Sequence, residues 1–417
     1  MNVAWPVRPV PFVRRVRVRN YRSIAGCDVS LGPLTVLLGF NASGKSNFLD
    51  VLRFVADALA TSPPQAVANR GGLDALLHRN PRGSADSFEI SLDLALPIRR
   101  LDGEPVLATY GFEIGPDPSG ELPLLVRGEA GEVHLPLGPV HLPLGPAEAR
   151  TARLRLPSSV VREDEPQAFL DGALRAMCFY ELDSTVLRSL DERGASQPQL
   201  GPAGEHLGRV LGALERDDPA GKERLDAYLS ALVPNALGVD QRLEGRYSTV
   251  QARFRATGSG AGEGGAGDEG GGVSWFLREA LSEGTLRAAG VLAALFQPAA
   301  FAGKIPLIGI EEPETALHPA GVGALYEALD DAASRTQVIV TSQSSDLLDS
   351  EYAQLAHIRA VANVNGVTHV GEVDTAGHAI VAKDLMTISE LHRSGQMMPA
   401  QVGYPEGERQ RAGEVRR

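Results

Sequence analysis

The most informative stretch of this chain reads Gly39-Phe40-Asn41-Ala42-Ser43-Gly44-Lys45-Ser46, which matches the pattern G-x-x-x-x-G-K-[ST]. Backbone N–H groups in a loop of this pattern point at phosphate oxygens. The motif therefore predicts that the chain binds ATP or GTP. The alternative is a glycine- and serine-containing turn that binds nothing, and the flanking sequence distinguishes the two.

The sequence on both sides of this loop has the character that a phosphate loop requires. Residues 34–38 form a short apolar run, typical of a strand that is buried on both faces. Residues 47–54 carry apolar side chains at the spacing of a helix, whose N-terminus would face the anion. In that arrangement Lys45 reaches the β- and γ-phosphates, and the hydroxyl of Ser46 holds Mg²⁺.

Length and composition limit the classes of protein to which this chain can belong. The chain has 417 residues and a net charge of −12, which argues against general polyanion binding but leaves room for a local basic patch. The only cysteines are Cys27 and Cys178, and the first residues lack the apolar segment of a signal peptide. No apolar run approaches the roughly 18 residues of a membrane helix. We therefore expect a reducing, cytoplasmic setting and no membrane association.

Residues 12–21 alternate apolar and basic side chains over much of their length, which predicts a half-exposed strand. Its arginines allow two interpretations. They contact DNA phosphates, or, as is more common, they form the solvated face of an edge strand that resists aggregation.

The rest of the chain divides by pattern into further segments. Residues 85–157 contain alternating runs separated by turn residues, which predicts an antiparallel β lobe. Residues 165–256 are interpreted as a mainly helical insert and residues 257–272 as a glycine-rich flexible linker. Residues 351–402 are expected to form a C-terminal α/β segment, and residues 403–417 a disordered tail.

Residues 133–139 recur as residues 140–146, a tandem copy that is too short for a repeat architecture and that suits a surface loop. The copies contribute two histidines, His134 and His141. A metal site is disfavoured because no carboxylate or cysteine accompanies them at ligand spacing.

A second candidate site follows the apolar run at residues 305–310, which delivers two adjacent carboxylates, Glu311 and Glu312, to its C-terminal end. P-loop chemistry needs this pair. Glu311 would hold the Mg²⁺ shell, and Glu312 would orient or deprotonate the attacking water. Adjacent acids after a strand are ordinary surface residues when they occur alone, but the upstream phosphate loop favours the catalytic interpretation.

The segment Leu281-Ser282-Glu283-Gly284 precedes the acidic strand and opens a helical run. It resembles the signature motif of ABC-type ATPases, usually L-S-G-G-Q. By that resemblance Ser282 and Gly284, with the helix N-terminus, bind the γ-phosphate of a nucleotide held by the opposite protomer. Glu283 departs from the motif, as does Thr285. An ordinary serine N-cap would give the same local structure without that function.

Together these motifs resemble the RecF/OLD-like branch of the SMC/ABC-type ATPases, an AAA family of the AAA_21 kind. The resemblance covers residues 12–60 and 275–350, and its most distinctive part is E-E-P-E-T-A-L-H-P at residues 311–319. It implies an α/β fold, a P-loop NTPase of ABC/SMC-head type with a mixed central sheet, an antiparallel β lobe and a helical lobe.

In this interpretation residues 1–417 form a single composite ATPase head. The nucleotide-binding part with the Walker A loop occupies residues 12–60, and the signature, Walker B and switch occupy residues 273–350. Only about 70 residues follow the switch, with an isolated Glu372-Val373-Asp374, so we expect no Toprim nuclease domain.

The resemblance also implies ATP and Mg²⁺ as cofactors and a homodimer that sandwiches two nucleotides at its interface. It places Arg22 near the nucleotide, although a structural surface arginine is nearly as well supported. The expected nucleotide-binding residues of the loop are Gly39, Asn41, Ala42, Ser43, Gly44, Lys45, Ser46 and Asn47.

Two positions depart from the common ABC pattern. Glu311 stands where most ABC enzymes have aspartate, a change that retains a metal-binding carboxylate. Gln343 stands at the switch position, where ABC ATPases usually place histidine. A glutamine amide still donates to a γ-phosphate but carries no positive charge, so we expect slow hydrolysis.

The leading functional hypothesis is an ATPase of DNA maintenance or anti-phage defence that dimerises on ATP and controls a separately encoded effector, such as a Toprim-like nuclease. The alternative is a RecF-like, ATP-gated clamp that binds DNA with little turnover. A membrane-transporter subunit fits the motifs but not the long segment between them. A P-loop kinase would need neither Ser282 nor the second carboxylate.

Overall fold

The computed structural model describes residues 10–80, 83–99, 104–135, 138–142, 151–156, 166–192, 199–256 and 272–400. The predicted glycine-rich linker, apart from Gly272, and the predicted C-terminal tail lie outside these residues. The strands are β1 Val13–Tyr21, β2 Ile24–Ser30, β3 Leu34–Leu38, β4 Arg79–Asn80, β5 Gly83–Ser84, β6 Phe88–Arg99, β7 Pro105–Gly115, β8 Leu125–Leu135, β9 Gly138–His141, β10 Cys178–Tyr180, β11 Asp191–Glu192, β12 Ala236–Glu244, β13 Tyr247–Arg255, β14 Val273–Leu277, β15 Leu307–Glu311, β16 Gln337–Ser342, β17 Ile358–Val364 and β18 Val367–Gly371. The α-helices are α1 Lys45–Ala60, α2 Pro63–Ala68, α3 Leu73–Leu76, α4 Pro166–Arg175, α5 Ser184–Leu187, α6 Leu207–Asp217, α7 Pro219–Leu232, α8 Glu283–Phe296, α9 Pro298–Phe301, α10 Pro319–Ala333, α11 Thr375–Ala382 and α12 Ile388–Arg393.

The chain divides into two compact units. The first consists of Met1–Met177, Gln337–Ser345 and Gln354–Arg417, and the second of Cys178–Thr336 and Asp346–Ala353. No described helix combines the length and apolar character needed to cross a membrane.

The first unit contains a mixed sheet in the order β16-β3-β17-β18. Strand β3 pairs in parallel with β16 and β17, while β18 is antiparallel to β17. All five side chains of β3 are buried, as its continuous apolar run predicts for a strand covered on both faces. Helix α1 follows β3 and buries one face, including Phe48, Leu52 and Phe54.

The same unit contains an antiparallel sheet in the order β2-β1-β6-β7-β8-β9, which confirms the predicted antiparallel β lobe. Strand β7 alternates buried and half-buried side chains over most of its length, the period of a strand with one face on the core. The aromatic side chains of Tyr21, Phe54 and Phe88 pack edge to face beneath this sheet.

The position of β1 corrects one expectation. It is not an edge strand, because it pairs with both β2 and β6. Three of its four arginines pair with carboxylates on the neighbouring strands: Arg15 bonds Asp28 at 2.5 Å, Arg17 bonds Asp93, and Arg19 lies 3.8 Å from Glu89. The alternating basic pattern therefore arises from cross-strand ion pairs.

The tandem copy places its histidines on β8 and β9, where both face one carboxylate. Glu132 lies 3.4 Å from Nε2 of His134 and 3.1 Å from Nδ1 of His141. The expectation that no carboxylate accompanies these histidines was therefore wrong, because Glu132 lies two residues before His134 on β8 and pairs across the ladder with His141 of β9. Within the described residues no cluster of His, Cys, Asp and Glu side chains has the arrangement of a metal site.

The second unit contains the helical lobe. Helix α8 is almost wholly buried from Leu286 to Phe296 and packs against α7 and α10. A short parallel pair, β10 and β15, lies in the same unit. Residues 165–256 are not only helical, because β12 and β13 form an antiparallel hairpin to which β14 adds a further strand.

Candidate functional site

The phosphate loop runs from the C-terminal end of β3 to the first turn of α1, as predicted. The N–H of Gly39 donates to the carbonyl oxygen of Ser342 at the end of β16, at 3.2 Å. A Cβ atom at Gly39 would overlap the carbonyl oxygen of Val361, and one at Gly44 would overlap the side chain of Thr368. Both glycines are therefore required for the close approach of the loop to β17 and β18.

The N-terminus of α1 is built to receive an anion. Its N-cap residue, Gly44, has a φ of +101°, so it provides no side-chain cap, and no acidic residue occupies the first helical turn. Ala42 also has a positive φ of +61°. A helix start with uncapped N–H groups and the positive end of the helix dipole favours a negatively charged ligand.

Lys45 is buried, and its ammonium group bonds the loop itself. Nζ donates to the carbonyl oxygens of Gly39 at 2.7 Å and Phe40 at 3.0 Å. Ser43 is also buried, and its Oγ has no hydrogen-bond partner within the described part of the chain. A buried hydroxyl without a partner is costly unless a ligand supplies one. The loop therefore fits a phosphate group, which would accept from Lys45 and Ser43.

Ser46 and Asn47 differ in what their side chains do. Ser46 is exposed at the start of α1, where its hydroxyl is accessible to a cation. The amide of Asn47 donates to Oγ of Ser23 at 2.6 Å. Ser23 Oγ in turn lies 2.7 Å from Oγ1 of Thr368, which donates to the carbonyl oxygen of Ser43 at 2.9 Å.

This series of hydrogen bonds holds the phosphate loop against the β1–β2 turn and against β18. Sequence reasoning did not identify Thr368, because no local pattern in its strand marks it as a partner of the phosphate loop.

Arg22 lies in the β1–β2 turn with a φ of +50° and forms an ion pair with Asp50 of α1 at 2.9 Å. The same carboxylate accepts from the hydroxyl of Tyr21 at 2.7 Å and from Arg70 at 2.8 Å. Burial raises the pKa of Tyr21 well above its ordinary value, so its hydroxyl remains a donor. Arg22 Nε is buried without a hydrogen-bond partner in the described structure. Arg22 is thus placed against the helix that follows the phosphate loop.

Gln343 directly follows β16 and is exposed. Because Ser342 pairs with Leu38 in the parallel β16–β3 ladder, Gln343 lies at the same edge of the sheet as the start of the phosphate loop. The first unit therefore brings together the Walker A loop, Arg22 and the predicted switch residue.

The acidic pair lies in the second unit, at the end of β15. The strand is buried up to Glu311, which is half-buried. Glu312 has a φ of +42°, a left-handed conformation that a residue with a side chain adopts at a cost. Such strain is typical of functional positions. The adjoining turn is closed by the N–H of Thr315, which donates to the carbonyl oxygen of Glu312 at 3.0 Å.

Ser282 is the N-cap of α8. Its Oγ accepts from the N–H of Thr285 at 3.1 Å and lies 2.8 Å from the Thr285 hydroxyl. Gly284 has no room for a side chain, because a Cβ atom there would overlap the carbonyl oxygen of Ala316. Ser282 and Gly284 thus lie in the same unit as Glu311 and Glu312, and the loop after the acidic strand contacts the first turn of α8.

Comparison with known proteins identifies the family. A family model described as "AAA domain, putative AbiEii toxin, Type IV TA system" matches residues 34–131 and 179–349. No curated protein sequence shows significant similarity to this chain.

Among solved structures, a crystal structure of an Smc head bound to the C-winged helix domain of ScpA matches with a TM-score of 0.53 and 15% identity, covering 86% of this chain and 97% of that chain. A Pyrococcus furiosus Smc head domain, with an extended coiled coil and bound to the C-terminal domain of ScpA, matches with a TM-score of 0.53 and 13% identity, covering 90% of this chain and all of that one. An Smc head domain from Pyrococcus yayanosii gives a TM-score of 0.50 at 10% identity, covering 90% of this chain and 100% of the other.

These structural likenesses, at 10–15% identity, show the fold: a P-loop NTPase of the SMC-head type. The family model spans well over half of the 417 residues and contains the phosphate loop, the signature segment and the acidic pair. The protein is therefore a member of the AAA_21 family.

Proposed function

We propose that this protein binds ATP at the Walker A loop, hydrolyses it slowly, and uses the bound nucleotide to hold two copies of the chain together. The observation that carries the proposal is the state of the loop: the ammonium group of Lys45 is buried against the carbonyl oxygens of Gly39 and Phe40. A buried cation placed at an uncapped helix start is well suited to exchange these carbonyls for phosphate oxygens.

The loop residues have distinct roles in binding. The backbone N–H groups of Asn41, Ala42, Gly44 and Lys45 donate to the phosphates, and Ser43 Oγ gains the partner it otherwise lacks. Gly39 and Gly44 allow the backbone to approach β17 and β18, and Asn47 holds the loop through Ser23.

Ser46 and Glu311 are the residues proposed to hold Mg²⁺, since a hydroxyl and a carboxylate are the hard oxygen donors that this ion prefers. When bound, the ion neutralises the charge that develops on the phosphates during transfer. Glu312, in its strained conformation, orients the attacking water or accepts its proton. Gln343 donates an uncharged amide hydrogen bond at the switch position, which is consistent with slow turnover.

For dimerisation we propose that the signature residues Ser282 and Gly284 contact the nucleotide held by the partner copy, with one ATP at each of two equivalent sites. The exposure of Ser282 supports this role, because its hydroxyl and the first turn of α8 are accessible to a phosphate group. Residues 1–417 would then work as one composite head, with the residue bounds predicted from the sequence.

The biological role proposed is DNA maintenance or anti-phage defence, in the cytoplasm, through a separately encoded effector such as a Toprim-like nuclease. The family description, which names a putative toxin and a type IV toxin–antitoxin system, supports the defence setting. The arginines of β1 give little support to the DNA-clamp alternative, because neighbouring carboxylates compensate the charge of three of the four.

The experiment that tests binding is calorimetric titration of ATP with Mg²⁺ into the full chain, its Lys45→Ala variant and a Lys304→Ala control. Lys304 is exposed and lies outside the site. We expect Lys45→Ala to abolish measurable binding and Lys304→Ala to match the parent. Equal ATP affinity in all three proteins would refute the assignment of the loop.

A further inference from the structure

A histidine from the C-terminal part of the chain lies against the phosphate loop. His392 belongs to α12, a short helix fixed at its start by a capping box between Thr387 and Glu390. Only 4% of its surface is exposed, although histidine is a residue that commonly keeps contact with water. Helix α12 and the phosphate loop lie in the same compact unit.

Two contacts fix the orientation of the imidazole ring. Nδ1 lies 2.8 Å from Oγ of Ser345, two residues beyond the predicted switch residue Gln343. The ring stacks on that of Phe40, with centroids 5.2 Å apart and an angle of 20° between the planes. His392 therefore contacts both the phosphate loop and the segment that follows β16.

The second ring nitrogen is left without a partner. Nε2 of His392 is buried and forms no hydrogen bond to any described residue. Burial, and then the nearby positive charges of Lys45 and Arg393, lower the pKa of His392, so the ring is neutral near pH 7. If Nδ1 accepts from the hydroxyl of Ser345, the ring proton resides on Nε2. The ring then holds one buried, unused donor.

Phe40 contacts both His392 and Lys45. Its carbonyl oxygen accepts from Lys45 at 3.0 Å, while its ring lies on His392. The start of α1 is suited to the inner phosphates, and Lys45 reaches from there towards the terminal ones. An anion beside Lys45 would supply the acceptor that Nε2 lacks.

We propose that His392 is a ligand of the terminal phosphate of ATP, with Ser345 as the residue that positions it. This inference rests on the proposed function of the Walker A loop and extends the site to the C-terminal segment. The competing explanation is purely structural, namely that His392 only packs against Phe40.

The first test observes the ring directly in the full chain. Long-range ¹H–¹⁵N spectra of histidine-labelled protein report whether each ring nitrogen carries a proton and accepts or donates a hydrogen bond. The chain has nine histidines, and the His392 signals are assigned by their loss in His392→Gln. We expect the Nε2 signal to shift on addition of a non-hydrolysable ATP analogue with Mg²⁺, and to shift less with ADP. Unchanged His392 signals in protein saturated with the analogue would overturn the inference.

The second test measures dissociation constants of ATP and ADP for matched variants. His392→Leu removes the donor, His392→Gln retains one, and His378→Leu alters an exposed histidine on α11 as a control. A hydrogen bond to a charged phosphate predicts that His392→Leu weakens ATP binding on the order of tenfold and ADP binding by less than about threefold. His392→Gln and the control should stay within about threefold of the parent.

The outcomes separate this inference from the proposed function. The melting temperature of His392→Leu shows whether this variant is folded. If the parent binds ATP and the folded variant binds it with the same affinity, His392 is structural and the inference fails. An equal loss of ATP and ADP affinity would also indicate a packing role and would count against a terminal-phosphate ligand. If the parent itself binds no nucleotide, the proposed function fails first.

Discussion

At the scale of single residues, Glu312 combines an unfavourable backbone conformation with a proposed catalytic carboxylate. Its φ of +42° is unfavourable for a residue with a side chain, and nothing about a surface turn would require glutamate there. Glycine adopts such a conformation without strain, so replacement should relieve it while removing the carboxylate.

We expect Glu312→Gly to leave the free energy of unfolding unchanged or to raise it by up to about 1 kcal/mol, and to abolish ATP hydrolysis. Urea unfolding and phosphate release measure the two effects. The control is Glu327→Gly, at an exposed position of α10, which should lower stability by up to about 1 kcal/mol and leave hydrolysis unchanged. Hydrolysis at the parental rate in Glu312→Gly would show that another group acts on the water.

Thr368 is the residue that sequence reasoning could not find. Every residue of the phosphate loop follows from a local pattern, but the hydrogen bond from Thr368 to Ser43 joins positions 325 apart in the chain. No short motif encodes such a contact, because it depends on how β17 and β18 pair and where they lie beside β3. Glu132 is close to His134 in sequence, but its position opposite His141 likewise depends on how two strands, β8 and β9, pair.

Replacing Thr368 tests whether its hydrogen bond to Ser43 holds the phosphate loop in place. Thr368→Val keeps the shape of a fully buried side chain but leaves the carbonyl of Ser43 and the hydroxyl of Ser23 without this partner. The expected loss of stability is about 1–3 kcal/mol, measured by urea unfolding. Thr375→Val, at an exposed position of α11, serves as the control and should change stability by less than about 0.5 kcal/mol. A neutral Thr368→Val would mean that the loop is held by other contacts.

At the scale of elements, the sequence predicted helices and strands most accurately where the identifying pattern lies within a single segment. The apolar run of β3, the helix α1 after the glycine-rich loop and the strand β15 before the acidic pair all match their predicted positions. The edge-strand interpretation of β1 was wrong because the alternating pattern is the same for a paired strand whose arginines face carboxylates. The hairpin of β12 and β13 was missed within a segment dominated by helices.

Two helical glycines in the second unit give a matched test of packing. A Cβ atom at Gly284 would overlap the carbonyl oxygen of Ala316, whereas Gly323 of α10 has open space around it. Gly323→Ala should therefore stabilise the protein by roughly 0.5–1 kcal/mol, since alanine is the better helix former.

Gly284→Ala should instead destabilise the protein by about 1–3 kcal/mol, because the backbone at Ala316 would have to move. Thermal unfolding of both variants measures these changes in stability. Similar melting temperatures for the two would show that α8 and the loop after β15 are not in the close contact described.

At the scale of the whole molecule, the motifs at both ends of the chain were sufficient to predict the SMC-head fold, which the structural likenesses confirm at identities of only 10–15%. The phosphate loop and Gln343 fall in one compact unit, and the signature serine and both glutamates in the other. We propose that these two sets of residues act in a single reaction, and that ATP holds two copies of the chain together as a dimer.

Light scattering of the Glu312→Gln variant, with and without ATP and Mg²⁺, tests that claim most directly. The variant should bind ATP without hydrolysing it, so its mass should double on addition of nucleotide. Adding Ser282→Arg should abolish the increase, whereas Ser230→Arg, at an exposed position of α7, should not affect it. A mass that stays that of one chain in saturating ATP, or that doubles equally with Ser282→Arg, would contradict the nucleotide-sandwiched dimer.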